Sequence, residues 1–151
     1  RIVCWGVLMH IPDIKTAIYE LSRVLNQNGI LVLGEGNRFS LDSKIMRVLR
    51  KVFRKETANL KVTEAGNEYW ERSPTGDLMT RQSDIQWIIK EFRTHGVILK
   101  KHLPGQFTEM YTRVHWAPLN SMIHWFNRFW FTRIKSPILS FGNILVFEKQ
   151  G

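Results

Sequence analysis

Residues 2–37 carry a pattern that few folds accommodate. "IVCWGVL" is a short, unbroken apolar run, and "ILVLGEGN" opens on a second one. Between them come Pro12 and Asp13, then apolar residues at Ile14, Ala17, Ile18, Leu21, Val24 and Leu25. That spacing is one face of a helix. Asp13 suits its start, because a carboxylate accepts the free backbone N–H groups of a first turn. Asn28-Gly29 suits its end, with the glycine expected to supply the left-handed turn. Evenly hydrophobic strands are typical of parallel sheets covered on both faces, and both runs are evenly hydrophobic. The segment therefore predicts a strand–helix–strand unit with two parallel strands and a right-handed crossover.

Downstream signals are more mixed. A second helical stripe, Ile45, Met46, Leu49, Val52 and Phe53, is backed by Lys44, Arg47, Arg50, Lys51 and Arg54. Residues 55–80 read as irregular, with turn signals at Ala65-Gly66, Ser73-Pro74 and Gly76-Asp77. Ser83 and Gln86 have the spacing of a capping box for a third helix, whose apolar face is Ile85, Ile88, Ile89 and Phe92 and whose stop is Gly96. Val97–Leu103 and Asn143–Glu148 read as strands, and 118–133 as an aromatic-rich helix. The 44% hydrophobic content of these 151 residues supports a packed core and argues against disorder. A single cysteine, Cys4, excludes an internal disulfide and a cysteine-built zinc site. The five histidines show no i, i+4 pair and no carboxylate cluster at ligand spacing, so no metal site is expected. No apolar run approaches the roughly 20 residues that span a bilayer.

Three local motifs carry a resemblance. They are Met9-His10-Ile11 after the first strand, Glu20-Leu21-Ser22-Arg23-Val24-Leu25 on the helix, and Asn28-Gly29-Ile30-Leu31 entering the second strand. Together they resemble the second half of a class I S-adenosylmethionine-dependent methyltransferase, with Asn28 in place of the usual first glycine. The resemblance implies an α/β fold: a partial Rossmann-like methyltransferase sheet of the family's strands four, five, six and seven, with flanking helices and a helical lid insertion. Residues 1–151 would be the C-terminal part of the domain, with 38–81 and 107–140 as lid or insertion segments. The family's sheet order, three-two-one-four-five-seven-six, makes those four strands contiguous. Its glycine-rich cofactor loop would precede Arg1, so the chain is expected to be a fragment and inactive alone. Its fourth strand would then present an unpaired apolar edge.

The resemblance also implies a site. Ligands of open parallel sheets bind beyond the carboxyl ends of the strands, where strand order reverses. Cys4, Trp5, Gly6 and Val7 would there face S-adenosylmethionine, Gly6 by allowing close backbone approach. His10 and Glu35 are candidate proton acceptors, and Asn37 a candidate substrate contact. Plain structural roles compete: core packing for Cys4 and Trp5, a backbone-bonded helix-entry residue for His10, and turn chemistry for Glu35 and Asn37.

The expected function is methyl transfer to a small-molecule or lipid-like acceptor, in the cytoplasm or at a membrane periphery. The net charge of +9 suggests an anionic partner, and Met110–Phe147 contains no Asp or Glu while being rich in Trp and Phe. Peripheral membrane contact through the basic aromatic helices is therefore a further expectation, whereas a nucleic-acid partner is not expected. The competing class is a basic, non-enzymatic α/β module that docks on an anionic membrane.

Overall fold

The computed structural model describes residues 1–52, 59–74, 76–112 and 114–151, without the side chains of 49–52 and 73. The strand–helix–strand unit forms as the hydrophobic pattern requires. Strand β1 (Ile2–Trp5) pairs in parallel with β2 (Ile30–Gly36), and helix α1 (Ile14–Val24) connects them. Asp13 caps α1, accepting the Thr16 backbone N–H at 3.1 Å and its hydroxyl at 2.7 Å. The turn at the other end differs from expectation. Asn28, not Gly29, adopts the left-handed conformation, at φ 58°. Gly29 is needed for space instead, since a Cβ there would lie 2.6 Å from the Asn26 carbonyl oxygen. The last carbonyls of α1 find a cation: Lys149 Nζ donates to Ser22 O and Leu25 O, both at 2.8 Å.

Helix α2 (Leu41–Val52) follows β2, and the second half of its expected stripe, Phe53 included, lies outside the described side chains. The stretch expected to be irregular forms a second sheet. Strands β3 (Leu60–Val62), β4 (Gly66–Ser73) and β5 (Gly76–Ser83) pair antiparallel in that order. Helix α3 (Ile85–Thr94) leads into β6 (Val97–Pro104). Its cap is Asp84, whose carboxylate accepts from the Gln86 and Trp87 amides, and not Ser83. Helix α4 (Ala117–Phe129) continues into a π-helical turn, Trp130–Ile134, and β7 (Gly142–Lys149) closes the chain.

The main sheet has the order β1-β2-β7-β6, with β7 antiparallel to both neighbours. This is the contiguous four-strand arrangement expected from the motifs. The core lies between the sheet and the pair α1 and α3. Leu8, Ile14, Ile18, Leu31, Leu33, Ile88, Phe92, Leu145 and Phe147 are all buried there, and Phe92 packs on Phe147 with ring centroids 4.7 Å apart. β1 is the sheet edge, and it is covered on one face only. Val3 is 71% and Trp5 62% exposed, against the expectation of burial on both sides. Among the described residues no helix is long and apolar enough to cross a membrane.

The second sheet is fastened to the first. Asn37 bridges to Ser83, the Arg38 amide donates to Ser83 O, and the Arg38 guanidinium pairs with Asp84 at 2.8 Å. The strongest tie is Arg81 on β5. Its side chain is fully buried, and every N–H of its guanidinium donates: to Leu8 O, Ile11 O, Pro12 O and twice to Glu68 Oε1, at 2.9–3.3 Å. Three of these acceptors are backbone carbonyls of the segment joining β1 to α1.

Candidate active site

β1 and β2 end side by side, and beyond their carboxyl ends lies an open cleft of about 100 Å³. Trp5, Gly6 and Met9 line it from the β1 side, Gly34, Glu35 and Gly36 from β2, and Gly105, Gln106 and Phe141 from across. Sites that enclose a drug-sized ligand measure about 300–1,000 Å³, so this cleft is too small to enclose one.

The wall is built by two glycines and an indole. Gly6 leaves β1 at φ 64°, a backbone state costly for other residues, and donates its N–H to Gly34 O at 3.0 Å. That reversal lays the Trp5 ring on the Cα of Gly34, where a Cβ would sit 2.7 Å from the ring. The indole therefore offers its outer face to the cleft.

Glu35 lies near the end of β2 and lines the cleft together with Glu109. It is 4% exposed. Ser83 Oγ donates to its Oε2 at 3.0 Å, and its Oε1 has no hydrogen-bond partner among the described residues. Burial pushes its pKa up to about 7, against the opposing effects of the Ser83 hydrogen bond, the nearby Arg81 charge and the Met9 and Leu8 backbone amides. A buried carboxyl with an affinity for protons near neutrality can accept a proton.

The other sequence candidates separate. Cys4 is a core residue, with a thiol pKa raised by burial and by Glu35. Val7 is half-exposed and outside the cleft lining. The His10 ring is outside it too: its Nδ1–H donates to Met79 O at 2.9 Å, leaving Nε2 as the acceptor of that tautomer. Asn37 is buried with both ends of its amide engaged, Oδ1 accepting the Phe39 N–H and Nδ2 donating to Ile138 O. The structure thus brings together Trp5, Gly6 and Glu35, and gives His10 and Asn37 structural bonds. Sequence reasoning missed Ser83 as the partner of Glu35 and missed Arg81 altogether. No sequence signal marked them: Met79, Arg81 and Ser83 are buried in period two along β5, but two of the three are polar.

Solved structures share the fold. An S-adenosylmethionine-dependent methyltransferase structure from Methanosarcina mazei aligns over 98% of this chain and 57% of its own, with TM-score 0.57 and 14% identity. One from Clostridium acetobutylicum aligns over 99% and 57%, with TM-score 0.52 and 11% identity. The CcbJ methyltransferase from Streptomyces caelestis aligns over 99% and 59%, with TM-score 0.50 and 8% identity. The fold is that of the class I S-adenosylmethionine-dependent methyltransferases. The chain spans less than two thirds of the length of these methyltransferases. No family model matches the sequence, and no curated protein does. In a methyltransferase-like fold the cleft at β1 and β2 sits beyond the carboxyl ends of the strands, the general ligand position of open α/β sheets. Its residues fit one side of a sulfonium cofactor, because an aromatic face favours a cation and Gly6 leaves the backbone open to close approach.

Proposed function

We propose that the protein takes part in S-adenosylmethionine-dependent methyl transfer to a small-molecule or lipid-like acceptor, with the Trp5–Glu35 cleft as one wall of the reaction site. Glu35 carries this reading: it is a buried carboxyl with one unpartnered oxygen, at the strand ends of a methyltransferase-like sheet. When bound, the cofactor supplies an electrophilic methyl group. Trp5 and Gly6 would hold it, the indole through its face and Gly6 through an unobstructed backbone. Glu35 accepts the proton that an acceptor hydroxyl or amine sheds. The Ser83 hydrogen bond fixes the carboxyl rotamer. His10 acts as a positioning residue, since its bond to Met79 O ties the residues after β1 to β5.

Calorimetric titration of the intact protein with S-adenosylmethionine tests the reading. Saturable binding is expected, and Trp5→Ala should weaken it about tenfold, the scale of a partly desolvated cation–π contact. Gly34→Ala, which displaces the ring, should do the same. A folded protein showing no saturable binding would overturn the proposal.

A further inference from the structure

The α4 segment is apolar on both sides. Its inner face packs on the body of the protein through Ile123 and Trp130, both buried. The Trp130 ring lies 4.5 Å from that of Phe107, and its Nε1–H donates to Ser140 Oγ at 2.7 Å. The outer face exposes Met122 (58%), Trp125 (64%) and Phe129 (40%). Trp125 and Phe129 stack, with centroids 5.7 Å apart and planes inclined by 10°. Arg128, Thr132 and Arg133 complete a shallow depression around the pair. Neither guanidinium has an ion-pair partner among the described residues. A solvated helix normally sets charges of both signs on its outer face. Here that face is aromatic and cationic, within a sequence stretch, 110–147, that holds no acid.

We propose that this face docks on an anionic phospholipid membrane, with Met122, Trp125 and Phe129 entering the headgroup–acyl boundary and Arg128 and Arg133 pairing with lipid phosphates. Amphipathic aromatic rings favour such a boundary, and a guanidinium fork matches phosphate. The helix lies in the interface, since none among the described residues can span. Charge alone would also suit a nucleic acid. A duplex, however, offers no apolar phase for Met122, Trp125 and Phe129, whereas a bilayer matches both the charge and the apolar surface. The proposal is independent of the methyl-transfer reading.

Flotation with phosphatidylcholine vesicles, with and without phosphatidylserine, decides it. The protein should float only with the anionic vesicles, release at high salt, and show a blue-shifted tryptophan emission when bound. Arg128→Gln with Arg133→Gln should weaken binding about 25-fold, from about fivefold per cationic side chain. Trp125→Ala with Phe129→Ala should weaken it about tenfold and remove most of the blue shift. All four side chains are exposed, so thermal midpoints should match the parent's. If a variant does not fold, the salt release and blue shift of the parent protein decide. Absence of flotation with anionic vesicles would overturn the proposal. So would flotation indifferent to the aromatic pair, together with equal affinity for duplex DNA, which would mark a polyanion surface.

Discussion

Arg81→Met is expected to lower the unfolding free energy by about 3–5 kcal/mol, the scale seen when one member of a buried ion pair is removed. The reason lies in what the substitution leaves behind. Glu68 stays buried with its countercharge gone, and Leu8 O, Ile11 O and Pro12 O lose their donor. Lysine does not rescue the site, because one ammonium cannot reach acceptors spread around a planar fork. Arg81→Met with Glu68→Met removes both charges and should cost less than the two single changes added together, with a coupling of about 1–3 kcal/mol. Urea unfolding of the four proteins in the cycle measures this. Since domains of this kind are stable by about 5–15 kcal/mol, the single variant should be visibly crippled. Additive single changes, or a loss under about 1 kcal/mol for Arg81→Met, would show that the clamp does not hold the two sheets together. The consequence reaches the cleft, because Met9 lines it and belongs to the segment that Arg81 holds.

What could be read from the chain divides by the range of the interactions involved. The β1–α1–β2 unit was legible because each of its signals is local: an apolar run, a helical stripe, and Asp13 three residues before the Thr16 that it caps. The parallel pairing of β1 and β2 followed from them, whereas the order of the four strands was implied only by the resemblance to the methyltransferases. The β4–β5 hairpin was not legible, because its inward positions are polar. Asn67, Glu68, Arg81 and Ser83 are all buried, and they erase the alternation of hydrophobic and polar residues that marks a strand. Arg81 and Ser83 are satisfied by partners across the fold, at Leu8, Ile11, Pro12 and Glu35, which no window of sequence contains. The same holds for the site. Glu35 was identifiable as a candidate from its place at a strand end. His10 and Asn37 looked equivalent to it until their partners appeared 69 and 101 residues away, at Met79 and Ile138.

Glu35→Gln is expected to stabilise the protein at pH 8 and to abolish most of its catalysis. Folding raises the Glu35 pKa from 4.5 to about 7. Below pH 4.5 the carboxyl is protonated in both states and imposes no penalty. Between pH 4.5 and about 7 the unfolded chain has released the proton while the folded protein retains it, so stability falls as pH rises. Above about pH 7 both states are ionised and the loss levels off at roughly 3 kcal/mol. Glutamine fills the same space without a charge. The variant should therefore lack this descent and be the more stable protein at pH 8, by up to that amount. Parallel stability curves for parent and variant across pH 5–8 would show that Glu35 is not the group responsible. In the proposed transfer reaction the effect reverses. Removing a positioned proton acceptor typically costs about 10²–10⁴-fold in rate, and the parent's rate should rise with pH through the range where Glu35 ionises. Trp5 and Gly6 are untouched, so cofactor affinity should change far less than turnover. On the proposed reading Glu35 weakens the fold in its charged state and is needed in that state for chemistry, a combination that packing alone would not favour.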